Sequence, residues 1–243
     1  MLFRSHENGQ FPECDAATRL GLDRATGQTR WKVDRDSKKA SFSTPCLFQP
    51  EGGRTQVILT SRAHGITSLD PASGRKNWEM PVFDLRATGS PLIAGGMIFA
   101  TNGAGTAGKY LVAARPGIPE QGVQPTVLYR IKDAVPYVPT PVARWPLVFL
   151  WSDRGIATCL DGPTGKVHWR ERVGGDYLCS PVCVGQVLYC NAKNGQMIVL
   201  AAADKYKLLA RIDLGEATNS TPALADGVMY LRTLSHLMAL GKK

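Results

Sequence analysis

The chain has 243 residues, enough for one sizeable core, and no Pro/Gly/Ser-rich linker or charge block divides it. Its formal net charge is +9, but Lys and Arg are dispersed, with no basic run, RNP-like aromatic motif or helix-turn-helix pattern, so no nucleic acid is expected. The opening MLFRSHENG lacks an apolar signal-peptide core, and no run of about 18 apolar residues predicts a transmembrane helix.

In chain order the sequence reads as one unit stated again and again. Residues 22–31, LDRATGQTRW, close a first, partial unit over 1–40, with Asp23, Gly27 and Trp31 at fixed spacing. A second unit, 41–86, opens on Thr44-Pro45, runs through the apolar Val57-Ile58-Leu59, and repeats the phrase as LDPASGRKNW with Asp70, Gly74 and Trp78. A third, 87–136, opens on Ser90-Pro91, carries Met97-Ile98-Phe99, and has a degraded phrase after Leu111 followed by an insertion over 115–124. A fourth, 137–176, opens on Thr140-Pro141 and holds the intact copy LDGPTGKVHW, with Asp161, Gly165 and Trp169. A fifth, 177–217, opens on Ser180-Pro181, and its phrase is degraded to AAADKYKLL, with Leu209 near the tryptophan position. A last, partial unit over 218–243 opens on Thr221-Pro222.

The Ser/Thr-Pro markers stand 46, 50, 40 and 41 residues apart. Four-stranded propeller blades repeat at roughly 40–50 residues. Short β-branched and aromatic runs bounded by Gly and Asn/Asp turns are strand and hairpin signals. Each unit therefore predicts four strands. Pro begins the innermost strand, where its missing N–H costs little. The Asp carboxylate opens a tight turn by accepting backbone N–H groups, and the Gly supplies the positive φ that closes it. The Trp that follows has a large apolar area and one donor, suited to packing against the next blade.

These residues resemble the tryptophan docking motif of the PQQ-binding-like β-propeller repeat family (pyrroloquinoline-quinone repeats), which takes in quinoprotein dehydrogenases and an outer-membrane assembly lipoprotein. The resemblance covers nearly the whole chain. It implies an all-β propeller with about five blades represented: either the C-terminal portion of a longer propeller, the expectation adopted here, or a small self-closed one whose last blade takes strands from both ends. It also implies a periplasmic or other extracytoplasmic location.

Six cysteines, Cys14, Cys46, Cys159, Cys179, Cys183 and Cys190, form no CxxC pair and match no zinc spacing. Buried free thiols are expected, with a Cys183–Cys190 bridge across a hairpin left open. Members of the resembled family that bind PQQ use a Trp floor, a disulfide between adjacent cysteines, and a calcium ion held by carboxylate and amide side chains. This sequence has no adjacent Cys pair, and Asp23, Asp70 and Asp161 are assigned to turns. PQQ with calcium is therefore not expected. GxSxG and HExxH are absent as well, so no catalytic residue is assigned.

The turns after each second strand are chemically uneven. Arg62, His64, Trp151, Asp153, Arg154, Lys193, Arg232 and His236 fall there, and equivalent propeller turns share one face. Arg86 and Tyr137, which precede inner strands, are added as candidates for the channel rim. Exposed Trp and Arg commonly anchor binding surfaces. Ordinary polar hairpin turns, with Asp153 pairing Arg154 or a neighbour, are the alternative. The function expected is a non-catalytic scaffold of the outer-membrane-assembly-factor type. It would act as a monomer and bind a protein or peptide by this loop face or by strand addition at a blade edge. A PQQ-dependent oxidoreductase or another channel-mouth enzyme is the rival.

Overall fold

The computed structural model describes residues 2–6, 17–35, 41–105 and 107–241, and Cys14 lies outside them. The strands make six antiparallel sheets among the described residues, grouped in two compact units. The N-terminal unit comprises Met1–Ala104 and Tyr110–Arg130. Its first sheet has three strands, β1 (Leu2–His6), β2 (Ala17–Leu22) and β3 (Thr29–Arg35). The second has four, β4 (Cys46–Phe48), β5 (Gln56–Ser61), β6 (Gly65–Leu69) and β7 (Lys76–Met80). The third is β8 (Leu92–Ala94), β9 (Met97–Ala104), β10 (Ala107–Arg115) and β11 (Thr126–Ile131).

The C-terminal unit comprises Gly105–Lys109 and Ile131–Lys243. Its first sheet is β12 (Val142–Arg144), β13 (Leu147–Trp151), β14 (Ile156–Asp161) and β15 (Val167–Arg172). Next come β16 (Val182–Val184), β17 (Val187–Asn191), β18 (Gln196–Ala201) and β19 (Leu208–Asp213). The last sheet has three strands, β20 (Ala223–Ala225), β21 (Val228–Arg232) and β22 (Leu237–Leu240).

Each marker proline stands one residue before its inner strand, so the ladder begins just after the residue that cannot donate. The Ser or Thr in front of it has a role that its sequence context conceals. The Thr44 N–H donates to Ser90 Oγ at 2.9 Å in the N-terminal unit. In the C-terminal unit the Thr140 N–H donates to Ser180 Oγ, and the Ser180 N–H to Thr221 Oγ1, each at 2.9 Å. Each hydroxyl thus satisfies a backbone donor of the preceding sheet at the point where that sheet's ladder starts.

The turns form as their residues predict. Asp23 Oδ1 accepts the Ala25 and Thr26 N–H groups, and Asp70 Oδ1 accepts those of Ala72 and Ser73. Asp161 Oδ2 accepts the Thr164 N–H. These bonds hold the Asp70 carboxyl below the usual carboxylate range, with the Ser73 hydroxyl the largest contributor. Gly74 shows why the turn needs glycine twice over. Its φ is +73°, and a Cβ there would stand 2.6 Å from the Trp31 indole.

Past each turn the register slips by one residue, between Gly21 and Leu22, Ser68 and Leu69, Cys159 and Leu160, and Val199 and Leu200. The bulge re-aims the residue that follows on the outer strand. Trp31, Trp78 and Trp169 occupy that position, opposite Gly21, Ser68 and Cys159. All three are buried, and each indole N–H reaches a carbonyl of the next sheet's connection: Pro71 O at 2.8 Å, Gly117 O at 3.2 Å and Ala203 O at 2.9 Å. The fourth such position, opposite Val199, is Ala210 and not Leu209. The bulge is common to all four copies; the difference arises because the turn from Leu200 to Leu208 is one residue longer than that from Leu22 to Thr29, so a count along the sequence falls one short.

The insertion over 115–124 takes part in the packing: Gly117 O accepts both the Trp78 indole and the Gln56 amide, and Ile118 bridges Val123 around a 3-10 turn at Pro119–Gln121. No bridge joins Cys183 to Cys190, because Cys183 faces Leu188 across its hairpin. Cys190 instead lies beside Cys179, with sulfurs 3.7 Å apart, and both thiols are free and buried. Burial also pushes the Cys46 and Cys159 thiols up to about 12, so neither is a nucleophile near neutral pH.

Trp78 offers the cleanest check on these seams, being buried and bonded to both Gly117 O and Gln56 Oε1. Trp78→Ala is expected to cost about 3–5 kcal/mol in urea denaturation. A midpoint equal to wild type would remove the seam role.

Candidate functional site

The turns between second and third strands carry the candidate residues, and each unit presents its own set. In the N-terminal unit the Arg62 N–H donates to Ser41 Oγ, and His64 Nδ1 lies 3.2 Å from Glu79 Oε2. Arg86 stands over the exposed Phe42 ring, 5.5 Å from its centroid. These side chains are half-buried, and His64 meets Glu79 of its own sheet.

The C-terminal unit sorts its candidates into inside and outside. Trp151 was expected as an exposed anchor, and it is fully buried, edge-on to Tyr177 at 5.5 Å. It ends β13, a strand covered on both faces, so its position beside a turn does not expose it. Tyr137 is buried too. Among the described residues Asp153 makes no ion pair with Arg154 or another cation. Its carboxylate is buried and accepts the Tyr137 N–H at 2.7 Å and the Val138 N–H at 3.1 Å, while its own carbonyl accepts the Tyr177 N–H. One residue thus clamps the segments that lead into two neighbouring inner strands, one through its carboxylate and the other through its carbonyl.

Arg154 and Lys193 remain outside, on either side of a shallow pocket of about 80 Å³ bordered by Asp153, Asp176, Tyr177 and Leu178. Arg154 reaches Asp176 at 3.4 Å, an exposed pair of small energetic worth. Leu178 is 40% exposed, an apolar group flanked by two cations. Asp176 and Leu178 were not legible as site residues, because they lie in a plain-looking approach to Ser180-Pro181. The Asp153 clamp is what brings that approach beside the Arg154 turn.

The last turn is organised by Glu216, which sequence reasoning also missed. It accepts from the Ser235 hydroxyl and N–H and from the Thr233 hydroxyl, and its Oε1 lies 2.8 Å from His236 Nδ1. Arg232 is exposed beside it, its carbonyl taken by the Thr218 hydroxyl. The Ser235 hydroxyl, then the Ser235 N–H and the Thr233 hydroxyl, lower the Glu216 carboxyl to about 2.

The indoles of Trp31, Trp78 and Trp169 lie in seams between sheets with their N–H groups taken by carbonyls. Asp153 and Glu216 are held by backbone and hydroxyl donors, and no cluster of three or more His, Cys, Asp or Glu residues suited to a metal exists among the described residues.

Repeated four-stranded antiparallel sheets, joined through one recurring indole position, define an all-β propeller of PQQ-like repeats. Over residues 14–125 and 136–240 the chain matches the family described as outer membrane protein assembly factor BamB, and it belongs to that family. Among solved structures it is similar to BamB from Moraxella catarrhalis, at 15% identity and a TM-score of 0.66 over 93% of this chain and 66% of that one. It is also similar to quinohemoprotein alcohol dehydrogenase from Comamonas testosteroni, at 17% identity and a TM-score of 0.60 over 81% of this chain and 40% of that one. Sqt1 from Saccharomyces cerevisiae matches at 9% identity and a TM-score of 0.65, over 93% and 63%. At these identities the likeness is one of fold. The chain spans less than two thirds of the length of these structures. No curated protein matches it.

Glu216 gives a pH signature. Its folded-state pKa lies below the ordinary value of 4.5, so the stability it contributes is fully present above 4.5 and is lost as pH falls through about 2. The difference in urea midpoint between wild type and Glu216→Gln is expected to be constant above that value, to shrink below it, and to vanish near pH 2. A difference that persists undiminished at the acid end would show that the carboxylate network does not stabilise the turn.

Proposed function

We propose that the protein is a non-catalytic binding propeller of the outer-membrane-assembly-factor kind, acting outside the cytoplasm on a protein partner. Family membership supports a scaffold. The observation that carries the reading is the division of labour on the turn face of the C-terminal unit. Asp153 and Glu216 spend their oxygens on backbone amides and hydroxyls, whereas Arg154, Lys193, Arg232 and Leu178 point outward. A general base needs a carboxylate free to take a proton, and a binding face needs rigidly held cations and apolar groups. This face suits an acidic segment carrying an apolar side chain for the Leu178 hollow, and the net charge of +9 would steer such a partner in. The reading calls for neither PQQ nor calcium.

The test is a double variant, Arg154→Ala/Lys193→Ala. Both side chains are exposed, so its denaturation midpoint is expected within about 0.5 kcal/mol of wild type. Its capture of outer-membrane assembly components from a detergent extract is expected to fall at least tenfold. Undiminished capture would reject this face. Saturable one-to-one binding of PQQ with calcium to the folded chain would reject the non-catalytic reading itself.

A further inference from the structure

We propose that Cys179 and Cys190 are a bridging pair, which closes to a disulfide when a disulfide-class oxidant reaches the chain and so staples the approach to β16 onto β17. That such an oxidant is met where the protein works rests on the extracytoplasmic reading above; the pairing itself does not. The two sulfurs lie 3.7 Å apart. A disulfide bond is about 2.05 Å long, so a side-chain adjustment of less than about 2 Å closes it. Cys183, which lies between them in sequence, is placed otherwise: it faces Leu188 across its hairpin, and its sulfur lies 3.7 Å from Gly185 O.

The surroundings decide which thiol reacts first. Cys190 lies within β17, opposite Ile198 of β18. Cys179 lies in the approach, residues 176–180, which belongs to no strand. The approach is held by the Lys193 N–H on Asp176 O, the Tyr177 N–H on Asp153 O and the Ser180 N–H on Thr221 Oγ1. Cys179 and Cys190 are 1% and 0% exposed, so an oxidant meets them only when a segment opens. A segment without a ladder opens at less cost than a strand paired on both sides. Cys179 therefore attacks one sulfur of the donor disulfide, forming a mixed disulfide and passing its proton to the thiolate released. When the approach closes again, Cys190 attacks the Cys179 sulfur, and its proton goes to the second departing thiolate. Two cysteine thiols are oxidised and one donor disulfide is reduced to two thiols.

The bond would act where the candidate face is assembled. Asp176 and Leu178, just before Cys179, border the pocket between Arg154 and Lys193. Lys193 lies two residues beyond the end of β17. A bridge from Cys179 to Cys190 thus ties the apolar side of the face to the strand that leads into its Lys193 turn. It closes a loop whose ends are 11 residues apart, which restricts the unfolded chain and favours the folded one. What is given up is the hydrogen bond from the Cys179 thiol to Asn191 O, at 2.6 Å.

The test equilibrates the full chain with mixtures of oxidised and reduced glutathione, quenches with acid, alkylates in denaturant and reads the mass. In the oxidised mixtures two fewer adducts are expected than the six that the reduced chain takes. Cys183→Ser, at a half-buried position, is expected to keep the bridge, and Cys179→Ser to lose it. The urea midpoint of the oxidised chain is expected to exceed that of the reduced chain, and Cys179→Ser to show no such difference. Six adducts at every glutathione ratio, a bridge lost in Cys183→Ser, or a bridge kept in Cys179→Ser would overturn the proposal. Wild type and Cys183→Ser decide it even where Cys179→Ser does not fold. The purified chain is used, so the result depends on neither compartment nor partner, and a chain that stays unbridged leaves the binding reading to its own double variant.

Discussion

The structure depends on the seam between consecutive sheets, where a buried indole gives its one N–H to a carbonyl of the next sheet's connection. The constraint behind it is that these sheets are covered on both faces. Every residue of β5 and β6 is buried, including Gln56, Thr60, Thr67 and Ser68. A sheet buried on both faces cannot stand alone and must find a neighbour on each side. Polar side chains inside it must then be paired, as Gln56 is, its amide donating to Gly117 O and its oxygen accepting from Ser68 and Trp78. The indole fixes both the distance and the register of the neighbour, because its hydrogen bond forms only when the next connection arrives at the right height.

A second fastening runs along the inner strands within each unit. The Ser/Thr hydroxyls before the marker prolines accept the N–H of the preceding marker. Proline starts each inner strand without a donor, and the residue before it is held extended. That geometry points its N–H at the following sheet, where a hydroxyl can take it. The pair Ser/Thr-Pro is therefore a joint as well as a strand start.

What could be read from the sequence was what is local. The Asp and Gly of each turn act over four residues, and the Trp lies a few residues beyond, so spacing alone exposes them. The rest depends on partners tens of residues away. Trp151 looks like a turn residue until β13 is seen to be covered on both faces. Asp153 looks like a partner for the adjacent Arg154, yet its acceptors are filled by amides sixteen and fifteen residues back. Leu209 looks like the replacement for tryptophan because counting from the intact copies cannot see that the turn from Leu200 to Leu208 is one residue longer. Of the candidate face, Arg154, Lys193 and Arg232 kept the exposure that their charge suggested, whereas Asp176, Leu178 and Glu216 carried no local signal.

The same logic explains why the seams can differ from one another. In repeat architectures each unit is stabilised by its neighbours, so a change at one seam is felt mainly there. A lost indole at Ala210 leaves the Trp169 seam with its full cluster and its Ala203 hydrogen bond. Stability is thus concentrated at the seams that Trp31, Trp78 and Trp169 close.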